Sequence, residues 1–167
     1  MYFCIQTMQF EIVKLNQFNG NKCGVYSIFV DDEQETLFGH FLIENKDSFK
    51  SEIINILERI KTINSVTGAR ESYFKLHEGN PSDGICALYD IPDSNLRLYC
   101  IRYGNSLIIL GGGGEKQKSI KALQEVDKLR NENYLLREIS AQITKRIKEK
   151  AISFSDDGTE ITGELEF

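Results

Sequence analysis

Residues 96–114, LRLYCIRYGNSLIILGGGG, limit the possible folds more than any other stretch of the chain. Two runs of aliphatic and aromatic side chains, 96–103 and 106–110, flank Gly104 and Asn105. A Gly-Asn pair between strand-forming runs is the chemistry of a two-residue hairpin turn, since both residue types tolerate positive φ. The glycines 111–114 then read as a sharp turn out of the sheet, close against another element. A phosphate cradle of backbone N–H groups is the second reading. The Walker pattern fails, because Ile109 stands where its first glycine belongs and Glu115, not lysine, follows Gly114. The dinucleotide pattern fails too, with Lys116 in place of its third glycine.

The flanking segments predict more strands and two helical regions. MQFEIVKL (8–15) alternates, NGNKCG is turn chemistry, and VYSIFV (25–30) is a second strand, so the chain opens on a hairpin. Asp47 caps a helix expected to run to about Asn64, with Phe49, Ile53, Ile56, Ile60 and Ile63 on one face. Strands are expected at 73–77 and 85–91, giving an antiparallel meander with 96–103 and 106–110. Beyond the glycines, Leu123, Val126 and Leu129 mark one helical face and Leu136, Ile139, Ile143 and Ile147 a second. The polar RNEN (130–133) between them predicts a break or kink. Asp157-Gly158 predicts a turn in the tail.

At 167 residues, 41% of them apolar and only two proline, the chain is expected to form one domain with a real core. Residues 8–44 form the hairpin and connection, 45–125 the core, and 126–167 a helical extension with an acidic tail. No segment has the ~20 apolar residues of a membrane span. The first ten residues lack the pattern of a signal peptide. Cys4, Cys23, Cys86 and Cys100 share no C-x-x-C spacing and only two histidines could join them, so reduced thiols in a cytoplasmic protein are expected, without metal or cofactor. Charge is uneven. Residues 115–150 carry 10 basic and 6 acidic side chains, and 151–167 carry five acids and no base. The tail's apolar residues are expected to dock while its acids neutralise the basic helix.

The order helix, short strands, RLYCIRYGNSLIILGGGGEK, helix resembles the RelE/HigB-like toxins of bacterial toxin–antitoxin pairs. Arg97, Tyr99, Gly104-Asn105, the apolar run Leu107 to Leu110, the glycines and Lys116 carry the likeness, with YFKLHEG and ICALYDI as the two preceding strands. It covers roughly residues 45 to 125. The resemblance implies an α+β fold: an antiparallel sheet of four or more strands packed by helices. It also implies a metal-independent endoribonuclease that cleaves mRNA on the ribosome and is silenced by a cognate antitoxin protein. The segment 85–91 lacks the Lys or Arg often found there in the family, which favours the alternative, a non-catalytic protein-interaction module.

Metal-free cleavage of RNA needs a base for the ribose 2′-OH, an acid for the leaving oxygen and a cation for the phosphorane. Alternation places Lys75 and His77 on one face of their strand, and Arg97 and Tyr99 on one face of theirs. If these faces coincide, His77 is the acid or base, and Arg97 and Lys75 are the cations. Tyr99 stacks on a base, and Lys116 and Lys118 bind substrate at the rim.

Overall fold

The computed structural model describes residues 8–79, 83–88, 94–116 and 122–167. Strand β1 (Phe10–Lys14) and strand β2 (Gly24–Val30) form the expected antiparallel hairpin. Helices α1 (Leu37–Asn45) and α2 (Lys50–Thr62) follow, then four strands: β3 (Phe74–Lys75), β4 (Ile85–Leu88), β5 (Leu96–Tyr103) and β6 (Leu107–Glu115). Helix α3 (Ala122–Lys148) and a small hairpin, β7 (Ile152–Phe154) with β8 (Ile161–Gly163), complete the chain. The fold is α+β, with one six-stranded sheet in the order β1-β2-β6-β5-β4-β3.

The sheet is mixed, not wholly antiparallel as the sequence suggested. β2 runs parallel to β6, and only Gly24–Tyr26 pair with Leu107–Ile109. Ser27, fully buried, makes the last stitch. Its hydroxyl donates to the Leu110 carbonyl at 2.7 Å and accepts from the Phe38 N–H at 3.3 Å, tying β2, β6 and α1 together. Beyond that point β2 continues alongside β1, and β6 alongside β5.

Helices cover both faces. On one, Phe38 and Phe41 of α1 and Ile53, Ile56 and Ile60 of α2 pack on Val25, Leu98, Cys100, Ile108 and Leu110. On the other, Leu136, Ile139 and Ile143 of α3 pack on Tyr26, Ile28, Ala87, Tyr99, Ile101 and Ile109. Two covered faces explain why 107–110 is continuously apolar rather than alternating. Burying one such large aliphatic side chain contributes roughly 1.5–3 kcal/mol.

Several local expectations are corrected. Helix α1 lies in what the sequence left as a connection, and Thr36 caps it by accepting the Gly39 N–H at 3.0 Å. Helix α2 starts at Lys50 after Phe49, so Asp47 is not its cap. Tyr103 pairs with Leu107, so the β5–β6 turn has three residues, Gly104 to Ser106. The glycines are not an exit from the sheet but its continuation. Arg97 faces Gly114 and Leu98 faces Gly113, with a bulge before Cys100. A close approach does require them: a Cβ on Gly111 would meet the Leu136 side chain, and one on Gly113 the Arg97 carbonyl.

Helix α3 passes through RNEN unbroken. Leu129 and Leu136 are seven residues apart and therefore share a face, with Asn133 between them. Asn133 and Ser140 stand in this buried seam and donate to the carbonyls of Glu78 and Asp83, at 2.8 and 2.6 Å. The polarity that suggested a break is the helix's grip on a loop. The tail turns at Gly158 as expected and docks. Phe167 stacks on Phe10 at 4.0 Å, and the backbone of Leu165 and Phe167 pairs with Phe10 and Ile12. The Arg146 guanidinium lies over the Phe167 ring at 3.7 Å and donates to the Glu164 carbonyl.

Candidate active site

The register of the meander decides which sequence-derived residues meet. Lys75 pairs with Ala87, and Ala87 with Tyr99, so these three form one row across β3, β4 and β5. Tyr99 and Ala87 belong to the α3 core, which places Lys75 on that side of an edge strand. Lys75 is exposed and its ammonium lies 3.6 Å from the Glu78 carboxylate. Tyr99 is only 4% exposed and packs beneath α3, so it offers no ring for a base to stack on. Arg97 is half-buried opposite Gly114, on the Tyr99 side by alternation. Lys116 is half-buried and its backbone N–H donates to the Asn95 carbonyl. Lys118 lies outside the described residues.

His77 does not join Arg97. β3 and β5 are both antiparallel to β4, and Lys75 is level with Tyr99, so Arg97 lies level with Tyr73. His77 is four residues further along, a displacement of about 13 Å at the usual strand rise. Strand β3 also ends at Lys75, and His77 has φ +66°, in the left-handed region. The parity argument assumed a strand running through 77. The chain turns instead, and delivers the imidazole to the other side.

There His77 lines an open cavity of about 200 Å³ with Glu71, Leu76, Gly84, Ile85, Cys86 and Arg102. Arg102 is the candidate site residue the sequence reading passed over. It stands on the opposite face of β5 from Arg97, with its side chain 14% exposed. Its Nε donates to the Ala69 carbonyl at 2.8 Å, one terminal nitrogen donates to Asn105 Oδ1, and the other lies 3.8 Å from the Glu71 carboxylate. The guanidinium is thus fixed in orientation at the cavity wall. Its signal was present in RYGN, a charged residue two places before a turn at the end of an apolar strand.

Two contacts hold His77 in place. Asn133 of α3 binds the carbonyl of the next residue, Glu78, and the Glu78 N–H donates to the Ile85 carbonyl at 3.2 Å. Gly84, at φ +71°, lets its strand pass close to β5, where the Arg102 N–H donates to its carbonyl at 2.9 Å. A Cβ there would strike the Arg102 carbonyl. Cys86, in the cavity wall, faces Cys100 across the sheet with sulfurs 3.9 Å apart. The hydrogen bond with Cys86 and burial both push the Cys100 thiol well above its ordinary value, which leaves it a poor nucleophile.

Among the described residues, no three His, Cys, Asp or Glu side chains are grouped to hold a metal ion, and no helix is long and apolar enough to cross a membrane. The cavity offers an imidazole, a carboxylate from Glu71 and the oriented guanidinium of Arg102. No family model, curated protein or solved structure matches the chain.

Proposed function

We propose that the chain is a RelE/HigB-like toxin acting as a metal-independent endoribonuclease on mRNA, with His77 and Arg102 as its working pair. The observation that carries this reading is the shared cavity of an exposed imidazole and a guanidinium already held by three partners. The order α2, antiparallel strands, the Gly104 turn, the glycine-bearing strand and α3 agrees with the resemblance. In this scheme neutral His77 removes the ribose 2′ proton. The 2′ oxygen attacks phosphorus, the 5′ oxygen leaves with a proton from water, and a cyclic phosphate remains. Arg102 balances the charge that builds on the phosphoryl oxygens.

Induced expression of wild type, His77→Ala, Arg102→Ala and Arg97→Ala tests it, read as growth arrest and as mapped mRNA ends. Loss of a general base lowers cleavage by about 10²–10⁴-fold. We expect that loss for His77→Ala, a loss of about 10²–10³-fold for the charge-stabilising Arg102→Ala, and a smaller one for Arg97→Ala. Undiminished cleavage in His77→Ala defeats the assignment. The competing reading is a non-catalytic protein-interaction module. The formal net charge of −5 favours it, since affinity for a polyanion comes largely from Lys and Arg.

A further inference from the structure

Two thiols face each other at the wall of the His77 cavity. Cys86 and Cys100 are directly opposed Cα partners of β4 and β5, with sulfurs 3.9 Å apart. Directly opposed residues of antiparallel strands have Cα atoms about 4.5–5.5 Å apart, inside the usual disulfide range of about 4.4–6.8 Å. The sulfurs need only close from contact to a bond length of about 2 Å. The register of β5 slips by a bulge between Leu98 and Cys100, so the strand can yield at this point. Both thiols are free in the structure.

Cys23 shows what a merely packed thiol looks like. It is fully buried, its S–H donates to the carbonyl of the next residue, Gly24, at 3.5 Å, and burial pushes its ionisation up to about 12. Cys86 differs. It is 1% exposed, yet it lines the open cavity with His77, Gly84 and Arg102. A reagent little larger than water reaches it from that side, whereas a bulky disulfide does not. Cys100 lies behind it, fully buried, and the hydrogen bond with Cys86 and burial keep its thiol protonated. A soft metal ion bridging the pair would leave ionised thiolates in this interior. A disulfide leaves no charge there.

We propose that Cys86 and Cys100 form a hydroperoxide-sensitive dithiol that closes to a disulfide and reshapes the cavity. The Cys86 sulfur attacks one oxygen of hydrogen peroxide. The O–O bond breaks, the leaving hydroxide takes the thiol proton as water, and Cys86 becomes a sulfenic acid. The Cys100 sulfur then attacks the Cys86 sulfur. The S–O bond breaks, and a second water leaves with the Cys100 proton. The peroxide gains two electrons and the two thiols lose two. Cys100 is a poor nucleophile toward a free reagent, but its target here is held at contact distance. The new bond draws β4 and β5 together two residues from the Gly84–Arg102 contact, on the same face of both strands. The proposal stands without the nuclease reading, because its readouts are thiols and an imidazole, not RNA cleavage.

The test adds excess hydrogen peroxide to the folded full chain and, separately, to the chain in urea, followed by alkylation of the remaining thiols and peptide mapping by mass. We expect the folded chain to lose two of its four alkylatable cysteines, Cys86 and Cys100, joined to each other and both recovered with dithiothreitol. Cys100→Ala is expected to leave Cys86 as a sulfenic acid captured by dimedone, and Cys86→Ala to give no adduct at Cys100. Cys23→Ala still forms the link. In NMR spectra of the oxidised chain the imidazole signals of His77 shift, while those of His40, on α1, stay in place. Mapping of the wild-type chain needs no variant, so it decides even where an alanine variant fails to fold. The proposal is overturned if Cys86 and Cys100 both remain alkylatable after excess peroxide, if the link forms only in urea, or if either is joined to Cys23 instead. A dimedone adduct on Cys100 alone, or unmoved His77 signals in the oxidised chain, also overturns it.

Discussion

The carboxylate of Glu132 fills the space that a side chain on Gly112 would need, while the carbonyl of Arg97 fills the space at Gly113. Adjacent glycines in one strand are thus required by different obstacles. One is the end of a flexible side chain and the other is backbone.

This difference predicts unequal costs. Gly112→Ala lets Glu132 swing to another rotamer, at about 1 kcal/mol or less. Gly113→Ala must displace β5 itself, at about 3 kcal/mol. Urea denaturation of both variants measures this, and equal losses refute the distinction.

The pH dependence of Glu132 has a definite sign. Its carboxyl titrates above its ordinary value in the folded chain because burial disfavours the charge, with Lys128 opposing. Its contribution to stability is therefore fully present below the unfolded value, near pH ~4.3, and is lost as pH rises through the folded value. The unfolding free energy of wild type minus that of Glu132→Gln should fall across this window and then level off. A difference that grows with pH reverses the sign and rules out burial as the dominant cause.

Asn64 is the polar keystone of the loop before β2. It is buried, accepts the Gly20 N–H at 2.7 Å, and donates to the carbonyls of Cys23 and Phe18 at 2.8 and 3.3 Å. Asn64→Leu keeps the volume but strands these backbone groups, and should cost about 2–4 kcal/mol. Its denaturation midpoint should drop with an unchanged slope. A midpoint within error of wild type means the loop finds other partners.

Tyr103 gives the opposite case. Its hydroxyl is enclosed and unpartnered, and burial holds its ionisation far above the usual tyrosine value. The ring rests against Phe154 at 5.3 Å. Tyr103→Phe preserves that contact and removes the stranded group, so thermal melting should show a gain of about 1 kcal/mol. Clear destabilisation means that the hydroxyl has a donor or acceptor in solution.

Strands β1, β2, β4 and β5 and the core of α2 were legible because apolar spacing and turn residues report local geometry directly. The parallel contact of β2 with β6 was not, because a three-residue pairing between distant segments leaves no periodic trace. The glycines were misread for a related reason. Their role is set by Arg97, Glu132 and Leu136, none of which is a sequence neighbour. RNEN looked like a break because Asn133 is polar in an apolar seam, and only the Glu78 carbonyl explains it. In the candidate site, alternation placed Lys75 and Tyr99 in one row. It could not show that β3 stops two residues before His77, which moves the imidazole from Arg97 to Arg102.

The short parallel seam also sets an order of events in folding. Ser27 and Leu110 are 83 residues apart, whereas the β1–β2 and β5–β6 hairpins close over short loops. Closing a long loop costs entropy before any contact offsets it, and topologies rich in distant pairings fold slowly. On this ground the hairpins are expected to form first and the seam to join last. Until it does, β6 presents an uncovered apolar edge from Leu107 to Leu110, open to pairing between chains. Refolding yield should therefore depend on protein concentration, and Ser27, whose hydroxyl closes the seam, governs how long that edge stays exposed.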